Sequence, residues 1–240
     1  MSRTQSGTLF LIPTPIGDNP IQELPNYNTS IIHNIHFFIV EELRTARRFL
    51  KSIGYPHEFT DEMFLVLNEH TNEINGTQFL QQAIHGNSMG LMSEAGMPCT
   101  ADPGAAVVGF AHKFGISVIP LVGPSSMLLA LSASGFNGQQ FAFHGYLPID
   151  KHEREKLLRE LEKRANENFT QLFIEAPYRN NAMFDSLCKS LQPDTQLCIA
   201  SGILTKDEFI KTLPIKLWIK GGAPNFHKVP TVFLFGRLQN

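Results

Sequence analysis

Residues 93–104 read SEAGMPCTADPG: two carboxylates, two glycines and two prolines among small side chains, directly after the apolar run SMGLM. A stretch like this has little to bury, but it can present a shaped backbone to a ligand. Glycine permits close approach and positive φ, and proline sets the shape at low entropic cost. PTPIGDNP (13–20), VGPSSM (122–127) and APYRN (176–180) share that character. Any one of them is ordinary punctuation between elements. Together, at the ends of strands, they describe a binding edge. Ser125 and Ser126 open an apolar helix, where they can cap it or offer free N–H groups to a carboxylate or another anion. Other chemistries are missing: there is no GxxxxGK[ST], GxGxxG or HExxH. The nine histidines are scattered, so no metal site is expected.

The elements that must position these loops follow from hydrophobic periodicity. TLFLI (8–12), HFFIV (36–40), SMGLM (88–92) and ISVIPL (116–121) are short apolar strand candidates. Helical stripes lie between them: Ala46, Phe49, Leu50 and Ile53 before Gly54; Phe79, Leu80, Ala83 and Ile84 before Gly86; Val107, Val108, Ala111 and Phe114 before Gly115. This alternation implies βαβ units and a mostly parallel sheet. Beyond residue 121 come a helix at 125–135, a strand at 140–147 and a charged helix at 151–168 with Leu157, Leu158 and Leu161 inward. Strands follow at 170–176, 196–202, 207–212 and 229–238. The neighbouring candidates near 196 and 207 point to antiparallel pairing and a mixed second sheet. The expectation is two α/β domains, 1–120 and 121–240. In such sheets ligands bind beyond the carboxyl ends of the strands, where the four loops fall.

The chain has 240 residues, 42% of them hydrophobic, which is ample for two cored domains. A net charge of −2 supplies no global field toward nucleic acid or anionic lipid. Cys99, Cys188 and Cys198 show no CxxC spacing and read as reduced thiols. No apolar run reaches membrane-span length, and MSRTQSGT does not resemble a signal peptide, so a cytoplasmic protein that does not engage membranes is expected.

Taken in order, LFLIPTPIGD, LMSEAGMPCTADPG, PLVGPSSMLLALSASG, FHGYLP, LFIEAPYR and ILTKDE resemble the signature segments of the tetrapyrrole methylase superfamily. They look most like its branch of small-subunit ribosomal RNA cytidine 2′-O-methyltransferases, and the likeness spans nearly the whole chain. It implies two α/β domains with S-adenosylmethionine (AdoMet) in a cleft between them, in a homodimer. By position it assigns Pro15, Ile16, Ala95, Gly96, Met97 and Thr100 to the cofactor, with Ser125 and Ser126 at the next helix start. Glu175, Gly202 and Thr231 are the matching positions in the second half. There are departures. The family's SDAGTP is SEAGMP, its AEDTRHT is VEELRTA, its RELTK is SGILTK and its YESPHR is IEAPYR. The branch's C-terminal extension is absent from this sequence.

Methyl transfer to a ribose hydroxyl requires alignment and a proton acceptor. Glu42, Glu94 and Glu175 are the candidates, assisted by Arg44, Arg179 and Lys206; each can equally be a surface charge or a cap. Ribosomal RNA or the small ribosomal subunit is the expected partner. The alternatives are a methylase of a tetrapyrrole or other small molecule, and a non-catalytic AdoMet-binding module. Two helices carry basic clusters, Arg44, Arg47, Arg48 and Lys51 on one and Lys151, Arg154, Lys156 and Arg159 on the other. Both also have acids nearby, so a solvated face is the simpler reading.

Overall fold

The computed structural model describes residues 6–18, 23–68, 71 and 75–239. Asn19 and Pro20 of the first loop, and most of the MSRTQSGT start, lie outside the described residues. Contacts divide the chain into two compact units, Met1–Ser125 and Ser126–Asn240.

The first unit holds a five-stranded parallel sheet in the order β3-β2-β4-β1-β5, with β1 Thr8–Ile12, β2 Phe37–Val40, β3 Phe64–Val66, β4 Met89–Met92 and β5 Ser117–Pro120. Alternate side chains leave opposite faces. Phe38 and Met92 join one core with Phe49 and Leu50, while Leu9, Ile39 and Leu91 join another with Phe79, Val107 and Ala111. Ile12 and Val40 are both register partners of Met92. The loops starting at 13, 41 and 93 therefore leave one edge of the sheet.

Helices α1 Asn26–Ile32, α2 Leu43–Ser52, α3 Gly76–Phe79, α4 Gln81–Ile84 and α5 Gly104–Lys113 connect these strands. The stripe expected in α2 is the buried one, and Gly54 leaves it with φ 69°. The 79–84 pattern is two short turns interrupted at Leu80, not one helix. Strand β3 and helix α1 escaped the periodicity reading. The strand has three residues, and α1 buries little more than Asn28 and Ile32, too few to form a stripe.

The second unit contains α6 Ser126–Ser134, β6 Phe141–Tyr146, α7 Lys151–Asn166, β7 Thr170–Ile174, α8 Asn180–Ser190, β8 Gln196–Ser201, β9 Phe209–Pro214, α9 Ile215–Gly221 and β10 Thr231–Gly236. Its sheet is mixed, in the order β6-β7-β10-β8-β9: β6 and β7 are parallel, and the other pairs are antiparallel. Phe173 and Phe233 are register partners and stack at 5.6 Å in a core with Leu158, Leu161, Phe184 and Trp218. Because β10 runs against β7 and β8, its first residue sits where they end: Thr231 pairs with Ser201, and Val232 with Ile174. Glu175, Gly202 and Thr231 therefore share one sheet edge.

Candidate functional site

Three loops of the first unit converge on Gly96. Thr14 and Gly96 form a two-way backbone bridge, each N–H donating to the other's carbonyl at 3.0 Å. The Thr14 hydroxyl donates to Ser93 O (3.3 Å), and the Ser93 hydroxyl to Gly96 O (3.2 Å). Gly96 has φ 78°. A Cβ built there would lie 3.3 Å from Ile16 Cγ2 of the first loop and 3.4 Å from Pro124 O of the third. Gly123 is tighter, since its Cβ would fall 2.2 Å from Pro13 Cβ. Glycine is thus needed at both positions, at one for its dihedral and at the other for close approach. The third loop belongs with the first unit: Leu121 N donates to Leu11 O, and Asn28 Nδ2 to Val122 O at 2.7 Å.

Around this bridge Pro15, Ile16 and Met97 are half-buried, Ala95 and Thr100 are exposed, and Ser125 and Ser126 are half-buried at the start of α6. Two further residues with side chains, Cys99 (φ 66°) and Ala101 (φ 64°), take the left-handed conformation in the same loop. Asp102 holds it there by accepting from Cys99 N (2.9 Å) and Gly104 N (2.8 Å). Burial raises the Asp102 carboxyl above its ordinary value even though these bonds oppose it, and burial with the Asp102 charge pushes the Cys99 thiol up to about 12.

The three candidate proton acceptors have different surroundings. Glu42 is the N-cap of α2 and accepts from Arg44 N (2.9 Å), Thr45 N (2.6 Å) and the Thr45 hydroxyl (2.9 Å). The Arg44 and Thr45 N–H bonds hold its carboxyl below the usual range, which makes it a weaker base. Glu175 is buried, and its Oε1 accepts from Ala176 N (2.7 Å) and from the Arg179 guanidinium. Glu94 is exposed; its N–H donates to Glu41 Oε2 (3.1 Å), and among the described residues nothing engages its carboxylate. Lys206 and Arg44 are exposed, on the second and first units respectively.

In the second unit Gly202 has φ 59°, and a Cβ there would come 2.9 Å from Thr205 Oγ1. The Thr231 hydroxyl lies 3.0 Å from Ser201 Oγ and accepts from Asn180 Nδ2 at 3.2 Å. Asn180 is fully buried and also donates to Phe226 O (3.0 Å) and Val229 O (2.8 Å), fastening the segment before β10 to α8.

Several residues that shape these edges went unread in the sequence. Glu23 accepts from Ile16 N (2.8 Å) and Gly17 N (3.0 Å), clamping the first loop. Nothing local signals a carboxylate that reaches back six or seven positions. Asp102 and Thr14 lay inside quoted motifs but were not singled out, because the roles of both are backbone contacts that spacing does not reveal. Asn180 closes the APYRN segment in the sequence, and its role depends on the segment leading into β10, about 50 positions later.

Curated relatives resemble the chain in sequence, and a solved structure resembles it in fold. The ribosomal RNA small subunit methyltransferase I of Bacillus subtilis is 30% identical over 211 residues, covering 87% of this chain and 68% of that protein. The chain belongs to the ribosomal RNA small subunit methyltransferase I family. The family member from Xylella fastidiosa is 33% identical over 173 residues, or 72% of this chain and 60% of that protein. The one from Buchnera aphidicola subsp. Schizaphis graminum is 28% identical over 251 residues, spanning 100% of this chain and 82% of that protein. The crystal structure of the methyltransferase CobJ covers 97% of this chain and 95% of its own at TM-score 0.60 and 17% identity, a likeness of fold. No protein-family model matches the chain. As a member of this tetrapyrrole methylase family, the protein is an AdoMet-dependent methyltransferase.

Proposed function

We propose that the protein methylates a ribose 2′-hydroxyl of small-subunit ribosomal RNA. Membership of the methyltransferase I family supports the substrate class, and the convergence of three loops on Gly96 is the structural observation that carries the cofactor site. The residues fit a small polar cofactor, because Gly96 and Gly123 let the loop backbones pass close together while Ala95, Thr100, Ser125 and Ser126 leave small side chains and peptide groups accessible along them. Pro15, Ile16, Ala95, Gly96, Met97 and Thr100 would hold AdoMet from the first unit, with Ser125 and Ser126 offering hydroxyls and peptide groups at the start of α6. Glu175, Gly202 and Thr231 are the proposed contacts from the second. The cofactor supplies a methyl carbon on a sulfonium leaving group. The chain itself must hold the acceptor in line and take its proton.

Glu94 is the proposed proton acceptor. Its carboxylate is exposed beside the cradle, whereas Glu42 is committed to a helix cap and Glu175 to Arg179. Glu94→Gln should lower kcat by roughly a hundredfold or more while the AdoMet Kd stays within about twofold. A Glu94→Gln enzyme with wild-type kcat would remove the residue from this role.

The test of the function is transfer of labelled methyl from AdoMet to purified small ribosomal subunits lacking the modification, followed by mapping of the modified nucleotide. Label on a ribose is the expected result. Label on a base, or AdoMet binding with no transfer to RNA, would overturn the acceptor. Among the described residues no helix is long and apolar enough to cross a membrane. We place the protein in the cytoplasm, where its substrate is, and expect it to act as a homodimer, which light scattering at micromolar concentration checks.

A further inference from the structure

We propose that the outer face of α2, built by Arg44, Arg47, Arg48 and Lys51, is the surface that grips the sugar–phosphate backbone of the RNA acceptor. This rests on the function proposed above. The helix reads LRTARRFLKS and carries no acid of its own. Its apolar stripe, Ala46, Phe49 and Leu50, is spent on the core, so the basic face has no apolar side with which to enter a lipid surface. Arg44 lies in the first turn, where a cation is unfavourable against the helix dipole and the local gain is small.

The row is also ordered. Arg47 lies over the Phe64 ring at 5.3 Å and pairs with Asp61 (2.8 Å), and Lys51 lies over Phe59 at 6.0 Å. Rings under the stems reduce the entropy lost when phosphate binds. Glu42, Leu43 and the four cations line an open depression of about 490 Å³. Acids answer two of the four cations, Glu42 attracting Arg44 and Asp61 pairing with Arg47, while among the described residues Arg48 and Lys51 form no ion pair. The surface is continuous with the proposed site, because α2 starts at the same sheet edge as the cradle and Glu41, two residues before it, accepts from Glu94 N.

The second basic cluster does not survive folding. Arg154 is buried, with its guanidinium on Ser186 Oγ (3.0 Å), Pro148 O (3.1 Å) and Ile149 O (2.8 Å), and Lys151 approaches Glu155 at 3.9 Å. Its remaining cations, Lys156 and Arg159, are exposed on α7 and serve as a control.

The experiment uses the full chain, a fluorescein-labelled transcript of small-subunit rRNA, and purified small subunits. Arg48→Ala with Lys51→Ala should raise the KM for subunits about tenfold, leave kcat and the AdoMet Kd within about twofold, and reduce the slope of log Kd against log salt by about 1. Arg48→Glu with Lys51→Glu should lose more, and Lys156→Ala with Arg159→Ala should change little. Circular dichroism reports the fold. If wild type methylates subunits and the α2 variants match it, this surface falls while the function stands. If the α7 pair is as damaging, the attraction is diffuse and the proposal fails. If wild type binds AdoMet but no RNA, both readings fall together. Loss of binding to phosphatidylserine vesicles in the α2 variants, with RNA binding unchanged, would assign the face to lipid instead.

Discussion

The two sheet edges that carry the candidate residues are built by different means. In the first unit the loops are shaped mainly by backbone: a Thr14–Gly96 bridge, positive φ at Gly96, Cys99 and Ala101, and a close pass of Gly123 against Pro13, with Glu23, Ser93 and Asp102 bonding back to peptide groups. In the second unit the matching edge is held mainly by side chains: Glu175 with Arg179, Asn180 with Thr231, and Thr231 with Ser201. The first edge is sensitive to a Cβ added at Gly96 or Gly123. The second tolerates isosteres and fails when a hydrogen-bonding partner is lost.

The largest effect should come from the side-chain edge. Glu175→Ala leaves the Arg179 guanidinium without its carboxylate, and chemical denaturation should show a loss of about 3 kcal/mol. Glu175→Gln keeps an acceptor and should lose clearly less; equal losses would mean that charge, not hydrogen bonding, holds this edge. Gly96→Ala probes the backbone edge. The left-handed dihedral costs an L-residue about 1–2 kcal/mol, and the new methyl meets Ile16. Calorimetric titration should show AdoMet binding weakened about tenfold, the equivalent of ~1.4 kcal/mol. Unchanged affinity would separate the cradle from the cofactor. Thr231→Val keeps the shape and removes the hydroxyl between Ser201 and Asn180, for about 1 kcal/mol by the same denaturation.

The smallest effect tests one of the side chains that the first edge does use. The folded-state pKa of Glu42 lies below its usual value of 4.5, so its cap contribution is full above that value. It is lost as pH falls through the lower, folded value. Glu42→Gln should lower Tm slightly at pH 7, and the gap to wild type should close in acid. A gap that persists at acid pH would show that the carboxylate acts other than by capping α2.

Much of this was legible in the sequence. The βαβ rhythm, the parallel first sheet, the mixed second sheet and the Gly/Pro loops at strand ends all follow from periods of 2 and 3.6 and from where Gly and Pro fall. Those signals are local, so one chain segment suffices to show them. Short or weakly striped elements such as Phe64–Val66 and Asn26–Ile32 gave too little pattern to detect.

Only the tertiary structure decided which charges are at work. Glu42, Glu94 and Glu175 are equivalent as letters, yet one caps a helix, one is exposed and one is buried against an arginine. Two basic clusters looked alike until folding buried Arg154 and left the α2 row at the surface. Side-chain type and spacing set what a residue can do. What it does depends on which partners distant segments bring within about 3 Å, and on how much water remains around it.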